Sequence, residues 1–320
     1  MKPSDGITLS LDDLLAVSVS GSRIATQLSD GWRTGAHQSR KKGRGMEFAE
    51  VRPYMAGDDV RNMDWRITAR TGKPHTKLFR EERDHSVYIL LDLSSDMYFG
   101  SKGQLKARLV TLIAAAVTWH ALKRGDKVGG LILNGDQTSI QSPIGHRKGI
   151  LLWLKQIINI YNSGLENRPS PANMTNGLTT LGNMLRPGAR LVVISDFYRL
   201  IQKDFLMIRY LRKRHEVDLI QVYDALERTI EGNGTLGAQN SNGSGFLSES
   251  EDFRNHYSRL ASFRQFDLEQ KLNSHTKQLL TFDASKRRFS LYVLVNIFIP
   301  PDNHDFASSR RCSFILNQAK

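Results

Sequence analysis

The sequence predicts an α/β protein: a doubly wound, mostly parallel sheet with helices on both faces, preceded by an irregular N-terminal region. Three observations predict it. Short apolar runs rich in β-branched residues recur at 86–91, 190–194 and 217–222 without polar alternation, as strands covered on both faces require. Stretches between them carry apolar residues at helical spacing. Strand and helix alternate in chain order through residues 86–230, the pattern that builds a parallel sheet with right-handed crossovers. The chain therefore divides into an N-terminal region at 1–85, an α/β domain at 86–230, and a C-terminal part at 231–320 made of a Gly/Ser-rich loop, a helix and a tail.

The elements follow in order. Ser86–Leu91 is a buried strand. Leu105, Leu109, Leu112, Ala116 and Trp119 form one apolar stripe of a helix that ends at Gly125-Asp126. Val128–Leu133 is the next strand. Asn134-Gly135-Asp136 is a turn signal, so Gln137–Gln141 returns as an antiparallel edge. Lys148–Tyr161 is helical in spacing, Thr180–Leu185 a short helix, and Arg190–Ile194 a strand. Leu200–Arg214 is a helix and Val217–Val222 a strand. Gly232–Ser248 is rich in Gly, Asn and Ser and reads as a loop. Asp252–Leu280 is polar with helical spacing, and Phe289–Pro300 reads as a buried strand.

Charge is the unusual feature of the composition. Forty-five basic against 32 acidic residues give +13, with a pI near 9.9. The excess is spread, about +3 over 1–86, +8 over 87–230 and +2 over 231–320. Its densest stretch, Arg33–Arg83, includes Arg40-Lys41-Lys42-Gly43-Arg44, and a second cluster is Arg212-Lys213-Arg214-His215. Basic residues at a helix C-terminus are favoured by the helix dipole. No zinc-finger spacing, stacking motif or basic tail accompanies the charge, so nucleic acid is disfavoured and an acidic protein surface is the expected partner. Met1–Leu15 lacks a secretory apolar core. The longest apolar run, about 12 residues, is shorter than the roughly 20 a membrane span needs. One cysteine, Cys312, excludes an intramolecular disulfide. The expectation is a soluble, cytoplasmic chain.

Two strands end in oxygen donors: the first in Asp92-Leu93-Ser94-Ser95-Asp96, the second in Ser195-Asp196. Gly177-Leu178-Thr179-Thr180 reads as a loop entering a helix between them. Open α/β sheets place ligands beyond the C-terminal ends of their strands. Carboxylates and hydroxyls without Cys or paired His suit Mg²⁺ or Mn²⁺ rather than zinc.

Asp92-x-Ser94-x-Asp96, Thr179 and Asp196 resemble the metal-ion-dependent adhesion site of von Willebrand factor A domains, and the resemblance implies these five residues as metal ligands. The preceding block is more specific. Gly43-Arg44-Gly45-Met46-Glu47-Phe48, Val51-Arg52-Pro53-Tyr54, Gly57-Asp58-Asp59-Val60-Arg61, Met63-Asp64-Trp65 and Thr68-Ala69-Arg70 resemble the signature of domain-of-unknown-function family 58. His215-Glu216-Val217 and Asp224-Ala225-Leu226-Glu227 extend the resemblance, which spans roughly residues 8 to 285. It implies a von Willebrand factor A-like domain behind a signature region, working as a partner or adaptor of a MoxR-type AAA ATPase. One position departs: the adhesion site usually reads Asp-x-Ser-x-Ser, and Asp96 stands at the last place. An added carboxylate lowers the electrophilicity a metal offers to a partner's acid. A hydrogen-bonded cluster of purely structural role competes with the metal site.

The signature residues Arg52, Tyr54, Gly57, Asp58, Asp59, Arg61, Asp64, Trp65 and Arg70 carry no nucleophile–base pair or phosphate loop. They read as a network in which Arg52, Arg61 and Arg70 fork onto Asp58, Asp59, Asp64 or Glu81. His120 reads as a core residue. The leading expectation is a non-catalytic interaction module that aids assembly or maturation of another complex. The alternatives are a metal-dependent hydrolase or nuclease using Asp92, Asp96 and Asp196, and a nucleic-acid-binding protein.

Overall fold

The computed structural model describes residues 6–18, 46–55, 58–81, 86–135, 137–230, 236–240, 243–247, 250–273 and 279–286. The Arg40–Arg44 loop, Gly57, the 289–300 run and Cys312 lie outside them. The chain divides into two compact units, Leu28–His85 and the remainder. Residues 11–18 form α1 and belong with the larger unit.

In the smaller unit β1 (Met46–Pro53) pairs antiparallel with β2 (His75–Glu81), with a register shift between Phe48 and Glu50. Between them lie a 3-10 turn at Val60–Asn62 and helix α2 (Trp65–Thr71). Asp64 caps α2 by accepting from the backbone N–H of Arg66 and Ile67. Gly72, at φ +68°, closes it.

The larger unit holds β3 (Ser86–Asp92), α3 (Lys106–Lys123), β4 (Lys127–Asn134), β5 (Gln137–Ile144), α4 (Arg147–Glu166) and α5 (Met174–Met184). It continues through β6 (Arg190–Ser195), α6 (Gln202–Arg212), β7 (Glu216–Tyr223), the hairpin β8 (Leu236–Asn240) and β9 (Gly243–Leu247), α7 (Glu251–Leu272) and β10 (Leu280–Asp283). The main sheet has the order β10-β7-β6-β3-β4-β5, parallel except for β5. One apolar core fills the side of α1, α3 and α4. A second fills the side of α5, α6 and the end of α7. This is the doubly wound, mostly parallel architecture the patterning predicts.

Five local expectations are corrected. The helix expected at 180–185 begins at Met174, capped by Asn173, whose side chain accepts from Asn176 N–H. Gly177 reads as a loop residue but lies inside α5, where a Cβ would come within 3.0 Å of the Leu133 side chain. Its role is close packing on the sheet. Leu236–Asn240 and Gly243–Leu247 pair as antiparallel strands rather than loop; their Gly- and Asn-rich composition hides any two-residue period. The helix expected to reach Leu280 stops at Leu272, and Leu280–Asp283 adds a sixth strand beside β7. Finally, α3 is buried on nearly every side rather than along one stripe. The α1 segment covers its outer face: Trp119 Nε1 donates to Leu14 O at 2.9 Å, and Arg108 Nε to Thr8 O at 3.0 Å.

Candidate functional site: a carboxylate cluster at the sheet's switch point

From β3 the chain crosses through α3 to β4 on one side, whereas β6, β7 and β10 lie on the other. The crossover direction reverses between β3 and β6. A crevice forms where neighbouring crossovers diverge in this way. Asp92 ends β3, and Asp196 directly follows β6. The two carboxylates are therefore set there by topology, and a small, nearly filled cleft of about 10 Å³ lies among Asp92, Ser94, Asp96, Ser195, Asp196 and Arg199.

Each carboxylate is held by protein donors. Asp92, 2% exposed, accepts from Ser94 N–H at 3.0 Å through one oxygen and from the Ser195 hydroxyl at 2.6 Å through the other. Ser195 Oγ in turn accepts from Phe197 N–H at 3.2 Å. Asp196 accepts from Tyr198 N–H at 3.1 Å and from Lys106 Nζ at 2.9 Å. Asp96 is gripped by Arg199 through Nε and a second guanidinium nitrogen, and accepts from the Ser95 hydroxyl at 3.1 Å. Phe197 sits at φ +60°, a left-handed backbone a bulky residue adopts only when its surroundings impose it. That turn directs Asp196 and Arg199, on either side of Phe197, into one cleft.

Lys106 is the centre of charge. Its side chain is fully buried, and Nζ lies 2.5 Å from Glu227 Oε1 as well as 2.9 Å from Asp196. The ammonium also lies over the rings of Tyr198 and Phe99, at 5.5 and 5.9 Å. Burial alone would favour a neutral amine; Asp196 and Glu227 override it and hold the amine above a lysine's ordinary value. Glu227 is fixed by Asp224 N–H at 2.9 Å, and Asp224 is bound by the Ser101 backbone and hydroxyl. Burial, reinforced by the Asp196 charge, pushes Asp92 up to about 6. Burial also acts upward on Asp96, but Arg199 overrides it and leaves that carboxyl below its usual range.

The donor set tests the fit of a divalent cation. Hard oxygens converge here, as Mg²⁺ or Mn²⁺ would require. As arranged they do not leave a metal its ligands. One Asp196 oxygen faces an ammonium, Asp96 faces a guanidinium, and both Asp92 oxygens accept hydrogen bonds. Among the described residues no group of three or more His, Cys, Asp and Glu side chains has metal-holding geometry. Of the five expected ligands the structure brings together Asp92, Ser94, Asp96 and Asp196 but not Thr179. Thr179 lies in the interior of α5, exposed, donating to Thr175 O at 2.7 Å. The glycine that suggested a loop there is a packing residue, so the expected ligand loop is helix.

The sequence reading missed Lys106, Arg199 and Glu227 as members of the site. A lysine opening an apolar helix carries no sign of burial, and its partners are 90 and 121 residues away. The Asp224-x-x-Glu227 spacing was visible; it is a capping box at the 3-10 turn Ala225–Glu227. His120 is half-buried in α3, and burial pushes its imidazole down to about 4, in keeping with a core residue.

Among the described residues, the signature acids act within their own unit as caps and as partners of ion pairs. Arg52 and Asp58 pair at 2.7 Å, and Asp58 also accepts from Met55 N–H at 3.0 Å. Asp59 caps the 3-10 turn through Arg61 N–H, Asp64 caps α2, and the Tyr54 hydroxyl reaches Asp58 O at 3.4 Å. Lys77 rather than an arginine is the cation near Asp64, at 3.6 Å. Arg70 lies in the last turn of α2, and Trp65 is 66% exposed.

An open α/β sheet with a serine- and aspartate-bearing switch point defines the class of this domain. The family described as "Protein of unknown function DUF58" matches residues 50–265, and the chain belongs to it. A relative from Mycobacterium bovis, "Uncharacterized protein Mb1516", is 29% identical over 286 residues, covering 83% of this chain and 87% of its own length. Similar solved structures include the conserved hypothetical protein BatB from Bacteroides thetaiotaomicron, 13% identical, with a TM-score of 0.40 over 62% of this chain and 90% of that one. The SpRpn10 VWA domain is 14% identical, with a TM-score of 0.35 over 66% of this chain and 94% of that one. The fold assignment rests on the strand order. No helix among the described residues is long and apolar enough to cross a membrane.

Proposed function

We propose that this protein is a non-catalytic interaction module, and that its strand-end face captures an acidic segment of a partner protein without a metal. The single observation that carries the reading is the pairing of the strand-end carboxylates with the chain's own cations, Lys106 on Asp196 and Arg199 on Asp96. A von Willebrand-type site uses a divalent ion to hold a partner's carboxylate. Here Arg199, with 54% of its side chain exposed beside the cleft, is the group able to exchange Asp96 for such an acid. Mg²⁺ or Mn²⁺ at Asp92, Ser94, Asp96 and Asp196 would require both cations to withdraw. The family resemblance implies a MoxR-type AAA ATPase as the partner, met in the cytoplasm during assembly or maturation of another complex.

Affinity purification with mass spectrometry tests this, run on the wild type and Arg199→Glu in Mg²⁺ and in EDTA. The expected result is recovery of a MoxR-type ATPase by the wild type in both buffers, and its loss with Arg199→Glu. Recovery only in Mg²⁺, or equal recovery by the variant, would overturn the reading.

A further inference from the structure

We propose that the groove bounded by α6, the start of β7 and the end of α7 docks an acidic–apolar segment of a partner polypeptide. The groove has a volume of about 910 Å³, within the range of built ligand sites. It lies at the N-terminal end of β7, whereas Asp224 and Glu227 follow the C-terminal end of that strand. It is thus separate from the carboxylate cluster and does not rest on the function proposed for it.

Two features define the occupant. The first is charge. Arg209, Arg212, Lys213 and Lys271 line the groove against one carboxylate in its lining, Glu216. Lys271 is shared with Asp267 at 2.7 Å. Arg212 is the distinctive member: one terminal nitrogen donates to Leu272 O, while Nε and the other terminal nitrogen are buried with no hydrogen-bond partner among the described residues. A buried guanidinium with two idle donors is rare and costly, and a carboxylate is the acceptor whose fork geometry matches it.

The second feature is apolar surface. Phe205, Leu206, Ile208 and Val217 share the lining with the cations. Leu206 is 47% exposed, and Tyr210, one turn further along α6 on the same face, is 49% exposed. The apolar strip therefore runs beyond the groove along the helix. A free inorganic anion would use none of it, and a nucleic acid would use the cations while leaving the strip wet. A peptide with an acidic residue beside aliphatic or aromatic ones satisfies both.

The test is a random dodecapeptide library displayed on phage and panned against the full chain, followed by fluorescence anisotropy on synthetic versions of the enriched peptides. The expected consensus is Asp or Glu flanked by aliphatic or aromatic residues. Arg212→Gln is expected to weaken those peptides about tenfold or more. Leu206→Asp and Lys213→Glu, both at exposed positions, are expected to weaken them severalfold with the melting temperature unchanged. These two variants keep the test decisive if Arg212→Gln fails to fold. Failure to enrich acidic–apolar peptides would overturn the proposal. So would undiminished binding to Leu206→Asp and Lys213→Glu, or displacement of the peptides by millimolar inorganic phosphate or by duplex DNA.

Discussion

Lys106→Met is expected to cost about 3–5 kcal/mol of stability, the scale for removing one partner of a buried charge network. The methionine fills a similar volume between the Phe99 and Tyr198 rings, so packing is not the main loss. What remains is Asp196 and Glu227 without their shared cation, 4% exposed in the case of Asp196. Burial already pushes Glu227 above its ordinary value, opposed by Lys106. Without the ammonium it takes up a proton, so the variant recovers stability on acidification. Adding Asp196→Asn and Glu227→Gln is expected to return most of the loss, because a neutral network of the same shape leaves no bare charge. Urea denaturation at pH 7 of the wild type, Lys106→Met and the triple variant measures all three. A loss below about 1 kcal/mol in Lys106→Met would mean that the site is solvated rather than closed.

Asp92→Asn is expected to remove a pH dependence. Native Asp92 keeps its proton up to about pH 6, against 3.8 for a free aspartate. Between those values the folded chain binds the extra proton, so this group's contribution to stability falls as pH rises from about 4 to 6. The scale of that fall is roughly 3 kcal/mol, since each tenfold change in proton affinity is worth about 1.4 kcal/mol. Asparagine has no such proton and still accepts from Ser94 N–H. The stability of Asp92→Asn relative to wild type should therefore improve by about 2–3 kcal/mol between pH 4 and pH 7. Other carboxylates titrate in both proteins and largely cancel in the difference. Denaturation curves in EDTA across that range check it, and a pH-independent difference would refute the burial of a bare Asp92.

The sheet was legible because its strands are buried on both faces, which leaves uninterrupted apolar runs such as Val87–Leu91 and Leu191–Ile194. Its strand-end acids were legible for the same reason: Asp92 and Asp196 interrupt apolar runs where a parallel strand must stop. The edges were not. Four residues of β10 are too few to show a period, and nothing local distinguishes them from the end of α7. The hairpin of β8 and β9 is built from residues whose composition signals turns. At the site, the acids could be read and their cations could not. Arg199 meets Asp96 across 103 residues, and only the folded topology joins them. Thr179 shows the opposite failure, in which a ligand implied by the family resemblance is carried away from the other four by the helix that packs Gly177 against Leu133.

The strand-end cluster is charge-balanced from within, by Lys106 and Arg199. Electron paramagnetic resonance of Mn²⁺ titrated into the wild type, Asp92→Ala and Lys106→Met tests it most directly, because free and protein-bound Mn²⁺ give separate signals. The account predicts no saturable Mn²⁺ uptake by the wild type at micromolar concentrations, and no difference on Asp92→Ala. Stoichiometric uptake by the wild type that disappears with Asp92→Ala would contradict it.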